Sequence, residues 1–111
     1  MDLRQTGLVL AATLAAATVA TRPAVAAPSD ALNLINAQCQ QCHEIKGISD
    51  FGNVGPSLLG LKSRYPDRKD VVAIVNDETK RNELTVMPPF GRNLILTQQE
   101  IQTIVDYLYN Q

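Results

Sequence analysis

In Cys39-Gln40-Gln41-Cys42-His43, two thiols and an imidazole stand at a spacing that can do chemistry. C-x-x-C-H is the pattern by which a chain attaches a c-type haem. Each thiol adds across one porphyrin vinyl group, and the two intervening residues let a single helical turn meet both. The adjoining His43 then falls beneath the iron as the proximal ligand. The sequence has 2 cysteines and 1 histidine, so one covalent haem, held through Cys39 and Cys42, uses all three. Two other chemistries share part of this pattern. A redox C-x-x-C needs a βαβ setting, which the flanking sequence lacks. Structural zinc needs four Cys or His ligands, and only three exist.

The sixth position of the iron separates an electron carrier from a catalyst. Met87 sits in Thr85-Val86-Met87-Pro88-Pro89-Phe90, where each proline fixes its own φ and restricts the residue before it. A methionine on so stiff a loop is well placed to close over the distal face, and it is expected to do so in preference to Lys46, Lys80 or water. The plainer alternative is that Met87 only fills the core. Thioether ligation raises the reduction potential and leaves no vacant site. Such a centre passes single electrons. In Gly55-Pro56-Ser57-Leu58 the carbonyl of Pro56 is expected to accept from the second nitrogen of His43, fixing ring orientation and tautomer.

The elements that must position these groups read as helices and loops. Ser29 is expected to cap a first helix with Leu32, Ile35 and Cys39 on one face, running into the haem motif. Residues 46–56 read as loop, and Leu58–Leu61 as one helical turn. Asp67 is expected to cap a helix with Val71, Ile74 and Val75 on its core face, its pattern lost among Asn76, Asp77 and Glu78. Residues 79–96 read mostly as loop. Thr97-Gln98-Gln99-Glu100 is a capping box with Leu96 and Ile101 as its staple. Ile101, Ile104, Val105 and Leu108 form the apolar stripe of that last helix. No alternating strand pattern appears, so the fold is expected to be all-α, three to four helices around the haem.

The amino-terminal residues bear on compartment. Leu8 to Ala20 is an apolar or small run, Arg22-Pro23 breaks it, and Ala24-Val25-Ala26 fits a small-x-small cleavage site. Residues 1–26 are therefore expected to be a signal peptide, cleaved after Ala26 rather than Ala27, and residues 27–111 the exported domain. The run falls short of the roughly 20 apolar residues of a membrane span, so no stable membrane insertion is expected; an uncleaved anchor is the alternative. Periplasmic export agrees with c-type haem attachment. Without the signal the domain carries a small net negative charge, which excludes a polybasic nucleic-acid binder. At roughly 85 residues a core is marginal on its own, and a buried porphyrin supplies a large apolar centre.

Together, C-x-x-C-H, G-P-S-L, a methionine loop and a capped last helix resemble class I cytochromes c. Within that group the chain resembles the monohaem X subunits of the bacterial sulfur-oxidising (Sox) cytochromes AX. The residues that carry this are Gly52-Asn53-Val54-Gly55-Pro56-Ser57-Leu58, Arg64-Tyr65-Pro66-Asp67-Arg68 and Val86-Met87-Pro88-Pro89-Phe90-Gly91-Arg92, continued by Ile95-Leu96-Thr97, Glu100-Ile101 and Val105-Asp106-Tyr107-Leu108. By resemblance, Cys39 and Cys42 bind haem covalently while His43 and Met87 are axial ligands. The resemblance also implies a heterodimer with a larger haem-containing A subunit and a transient cytochrome electron acceptor. That complex, an L-cysteine S-thiosulfotransferase, conjugates thiosulfate to a carrier-protein cysteine. With both thiols taken by haem, sulfur chemistry would fall to the partner and this chain would relay electrons.

A docking surface is expected around the haem edge, near Val54, Pro88, Pro89 and Phe90. Arg64, Arg68 and Arg92 are candidates to meet haem propionates or a partner's acidic groups, or simply to be solvated. A free electron shuttle without a fixed partner is the alternative function. A peroxidase-type enzyme is disfavoured because it would usually need a distal acid–base residue, and there is no second histidine.

Overall fold

The computed structural model describes residues 14–21, 27–50, 52 and 54–111; the expected signal peptide lies largely outside the described residues. Among the described residues there are four α-helices: α1 (Pro28–Gln38), α2 (Leu61–Arg64), α3 (Arg68–Asp77) and α4 (Gln98–Tyr109), with a 3-10 turn at Glu78–Lys80 after α3. Among the described residues there is no strand, only an isolated bridge between Ile45 and Ser49. No described helix is long and apolar enough to cross a membrane.

Each helix begins where local chemistry starts it. Helix α1 starts at Pro28, three residues before the first buried side chain, Ala31, rather than after a Ser29 cap. Proline is favoured at this first position, where its missing N–H has no intrahelical role. The cap position falls to Ala27, and Asp30, the third helical residue, reaches back so that its carboxylate accepts from the Ala27 N–H at 3.2 Å. Asp67 caps α3, accepting from the Lys69 N–H at 2.9 Å. At α4 the box closes both ways: Thr97 N–H donates to Glu100 at 2.7 Å, and Glu100 N–H to the Thr97 hydroxyl at 3.2 Å. The expected turn at Leu58–Leu61 forms further along, at Leu61–Arg64. Gly60, at φ +63°, turns the chain through the left-handed region immediately before it.

Helix α4 is the centre of the packing and rests on α1, α2 and α3. Its stripe Ile101, Ile104, Val105 and Leu108 is buried against Ile35 of α1 and Val71 and Val75 of α3. Leu96 is buried beside this stripe, as a staple requires. Ile45 and Phe90 join the same core from the loops. Several core side chains, among them Leu61, Val71, Val75, Phe90, Ile104 and Leu108, also form the walls of a large cavity. The core is thus a shell around that space.

Candidate haem site

The haem motif is built on the exit of α1. The Cys39 N–H continues the helix by donating to Ile35 O at 2.8 Å. Cys42 and His43 N–H groups both return to Cys39 O, at 3.1 and 3.0 Å. These bonds close one turn that carries Cys39, Cys42 and His43, all of which line the cavity. The Gly55–Leu58 segment is stitched alongside: Gly55 N–H donates to Cys42 O at 2.8 Å and Leu58 N–H to Glu44 O at 2.9 Å. The two bonds bracket His43 in sequence. Arg64 pins the same segment from the other side, its guanidinium donating to the Ser57 and Leu59 carbonyls.

The imidazole is held by that segment. His43 Nδ1 lies 2.7 Å from the Pro56 carbonyl oxygen. A carbonyl only accepts, so Nδ1 carries the proton. In the neutral ring Nε2 is then the free lone pair. This tautomer suits a metal-binding imidazole, and the carbonyl partner on the opposite nitrogen fixes the ring orientation. Gly55 lets the two segments touch, since a Cβ there would stand 2.7 Å from Nδ1.

The cavity measures about 490 Å³, within the roughly 300–1,000 Å³ of cofactor and ligand sites. Its walls are mainly apolar, with Cys39, Cys42 and His43 set among them and Met87 lining the same space. Met87 is half-buried, and its N–H donates to the Thr85 hydroxyl at 3.1 Å. A large apolar chamber with two thiols, a correctly tautomerised imidazole and a thioether on its walls fits a covalently attached porphyrin. Burial, and then the nearby Cys42, push the free Cys39 thiol up to about 11. Before thioether formation this sulfur stays protonated at neutral pH.

Residues 26–108 match the family described as cytochrome c oxidase, cbb3-type, subunit III. The chain belongs to this family of class I cytochromes c. No curated protein matches it. The cytochrome carries covalently bound haem c, with Cys39 and Cys42 as the cysteines available to hold it, and its role is haem electron transfer. The haem supplies a one-electron couple. In the cavity Cys39 and Cys42 would hold it among walls that are mainly apolar.

The structure divides the other singled-out residues. Val54, Pro88 and Phe90 line the cavity; Pro89 does not. Phe90 is buried in the core, so it is a wall and not a docking residue. Of the three arginines, only Arg64 lines the cavity. Arg68 is paired with Asp106 at 2.6 Å and with the Gln102 side chain at 2.7 Å, tying α3 to α4. Arg92 is paired with Asp77 at 2.9 Å. Both are occupied within the domain because their helical partners fall within reach, which sequence spacing across loops does not reveal.

Sequence reasoning also passed over Asp77, the one polar side chain fully buried among the described residues. It looked like the point where the α3 pattern decays. The Thr79 hydroxyl, and after it the Arg92 guanidinium, hold its carboxyl below the ordinary carboxylate range against the opposing effect of burial.

Proposed function

We propose that this cytochrome is the electron-transfer haem subunit of a periplasmic thiosulfate-oxidising complex, partnered by a larger haem-containing A subunit. The observation that carries the reading is the pair of segments Arg64–Arg68 and Val86–Arg92, whose residues resemble Sox X subunits well beyond the shared haem motif. In this reading His43 and Met87 are the axial ligands, and residues 27–111 are the exported domain left after a signal peptide of residues 1–26. The Nδ1-protonated His43 and the thioether on the wall of the same cavity support a closed, six-coordinate iron. With both axial positions filled by His43 and Met87, the haem would offer one-electron transfer and no vacant site for substrate. Conjugation of thiosulfate to a carrier cysteine then belongs to the partner, and a cytochrome acceptor receives the electrons.

Purification of the native protein from periplasm, with mass spectrometry of each component, tests this. The expected result is a fixed ratio with a larger haem subunit, and a mass for this chain equal to residues 27–111 plus one haem. A monomer that carries haem and binds no such subunit would assign a free electron shuttle instead.

A further inference from the structure

The loop that carries Met87 is fastened at both ends. On its amino-terminal side, Thr85 N–H donates to Asn82 O at 3.1 Å, and the Thr85 hydroxyl accepts from Met87 N–H. On its far side, the N–H groups of Gly91 and Arg92 both donate to Asn76 O at 3.1 Å, at the end of α3. A Cβ at Gly91 would lie 2.7 Å from Asn76 Cγ, so a larger residue there would have to displace the Asn76 side chain. The next residue of α3, Asp77, takes the Arg92 side chain at 2.9 Å. Between Met87 and this anchor lie Pro88 and Pro89, whose fixed φ angles pass a constraint along the chain instead of absorbing it.

We propose that Asp77 is a positioning residue for the sixth haem ligand: its buried carboxylate, through Arg92, latches the Met87 loop closed over the cavity. The proposal rests on the reading of Met87 as an axial ligand. Its physical basis is asymmetry of burial. The Asp77 side chain is 1 % exposed and that of Arg92 52 %. A carboxylate so buried is costly without a partner. Opening the loop would take the cation away and leave the carboxylate only its two hydrogen bonds from Thr79, so the closed loop is favoured. The Thr79 hydroxyl completes the cluster, donating to Asp77 and accepting from Arg92 Nη1 at 3.0 Å. A competing role is local: Asp77 also caps the 3-10 turn by accepting from the Thr79 N–H at 3.2 Å. A cap has no need of Arg92; a latch does.

Cyanide binding to the oxidised holoprotein separates the two. An external ligand enters only when the methionine position is vacated, so its apparent affinity scales with the population of the open loop. Wild type, Asp77→Asn, Arg92→Gln, Arg92→Lys and Met87→Ala are titrated, with the methionine-to-iron charge-transfer band as a second readout. The latch predicts at least tenfold tighter cyanide binding in Asp77→Asn and Arg92→Gln. It also predicts weakening of the band on warming at a lower temperature than in wild type, and partial recovery in Arg92→Lys. Arg92 is half exposed, so Arg92→Gln decides the matter even if Asp77→Asn fails to fold. Cyanide affinity of Arg92→Gln within twofold of wild type, with Met87→Ala binding much tighter, overturns the latch and leaves the axial reading standing. Met87→Ala indistinguishable from wild type in both readouts overturns the axial reading itself.

Discussion

A Cβ built on Gly55 would lie 2.7 Å from His43 Nδ1 and 3.0 Å from Nε2. The imidazole therefore occupies the space that any other residue at position 55 would fill. The backbone of Gly55 cannot retreat, because its N–H is bonded to Cys42 O and the following residue supplies the carbonyl on Nδ1. Gly55→Ala is expected to displace the ring and to cost about 1–3 kcal/mol, the range for overpacking a tight site. The visible spectrum, reduction potential and thermal unfolding of the holoprotein check this. An alanine variant that matched wild type in all three would show that the ring has room to move.

Helix α4 depends on its capping box. Thr97→Ala removes the acceptor for the Glu100 N–H and a hydroxyl bonded to the Glu100 carboxylate. The expected cost is about 1 kcal/mol, or a fall of roughly 4–8 °C in Tm for a domain of this size. Because α4 supplies Ile104 and Leu108 to the cavity wall, the loss should appear in haem-loaded protein as well.

What was legible in the sequence had local causes. The Thr97–Glu100 box, the Asp67 cap and the Ile101–Leu108 stripe involve residues within a turn or two of one another, and they form where their spacing puts them. The start of α1 was misplaced because Ser29 is a credible cap by residue type, whereas Pro28 takes the first helical position and puts the cap at Ala27, which has no capping side chain. Helix α2 lies further along than expected because Gly60 adopts a left-handed conformation that only the tertiary path requires. Cys39, Cys42 and His43 meet on the cavity because the C-x-x-C-H spacing sets them on one turn. The pairings of Arg68 with Asp106 and Arg92 with Asp77 were not legible, since each joins elements that only packing brings together.

The Tyr109 hydroxyl at the end of α4 donates to Tyr65 O, which follows α2. Burial, and after it the charges of Asp70 and Asp67, push the Tyr109 phenol above its usual value of 10.0. The folded state thus holds the proton more tightly than the unfolded chain. The associated stability is fully present below pH 10 and is lost as pH rises through the folded value. Tyr109→Phe should cost about 0.5–1.5 kcal/mol at neutral pH, the net worth of one such bond, and should flatten the alkaline limb of the stability profile. Urea denaturation at a series of pH values between neutrality and pH 11 measures both effects.

Asp77 behaves in the opposite sense. Its carboxyl is held below its ordinary value of 3.8 in the fold, first by the Thr79 hydroxyl and then by Arg92. The folded state binds the proton less readily than the unfolded chain, so stability rises with pH across the interval between the two values. The contribution is complete above the unfolded value and disappears as pH falls through the folded one. Asp77→Asn is therefore expected to lower stability at neutral pH while making the acid limb between pH 5 and 2 less steep. Arg92→Gln should keep most of that limb, because the Thr79 hydroxyl, the larger cause, remains. Equilibrium unfolding of the three proteins across this range supplies the comparison. An acid limb in Asp77→Asn as steep as in wild type would assign the acid sensitivity to another carboxylate.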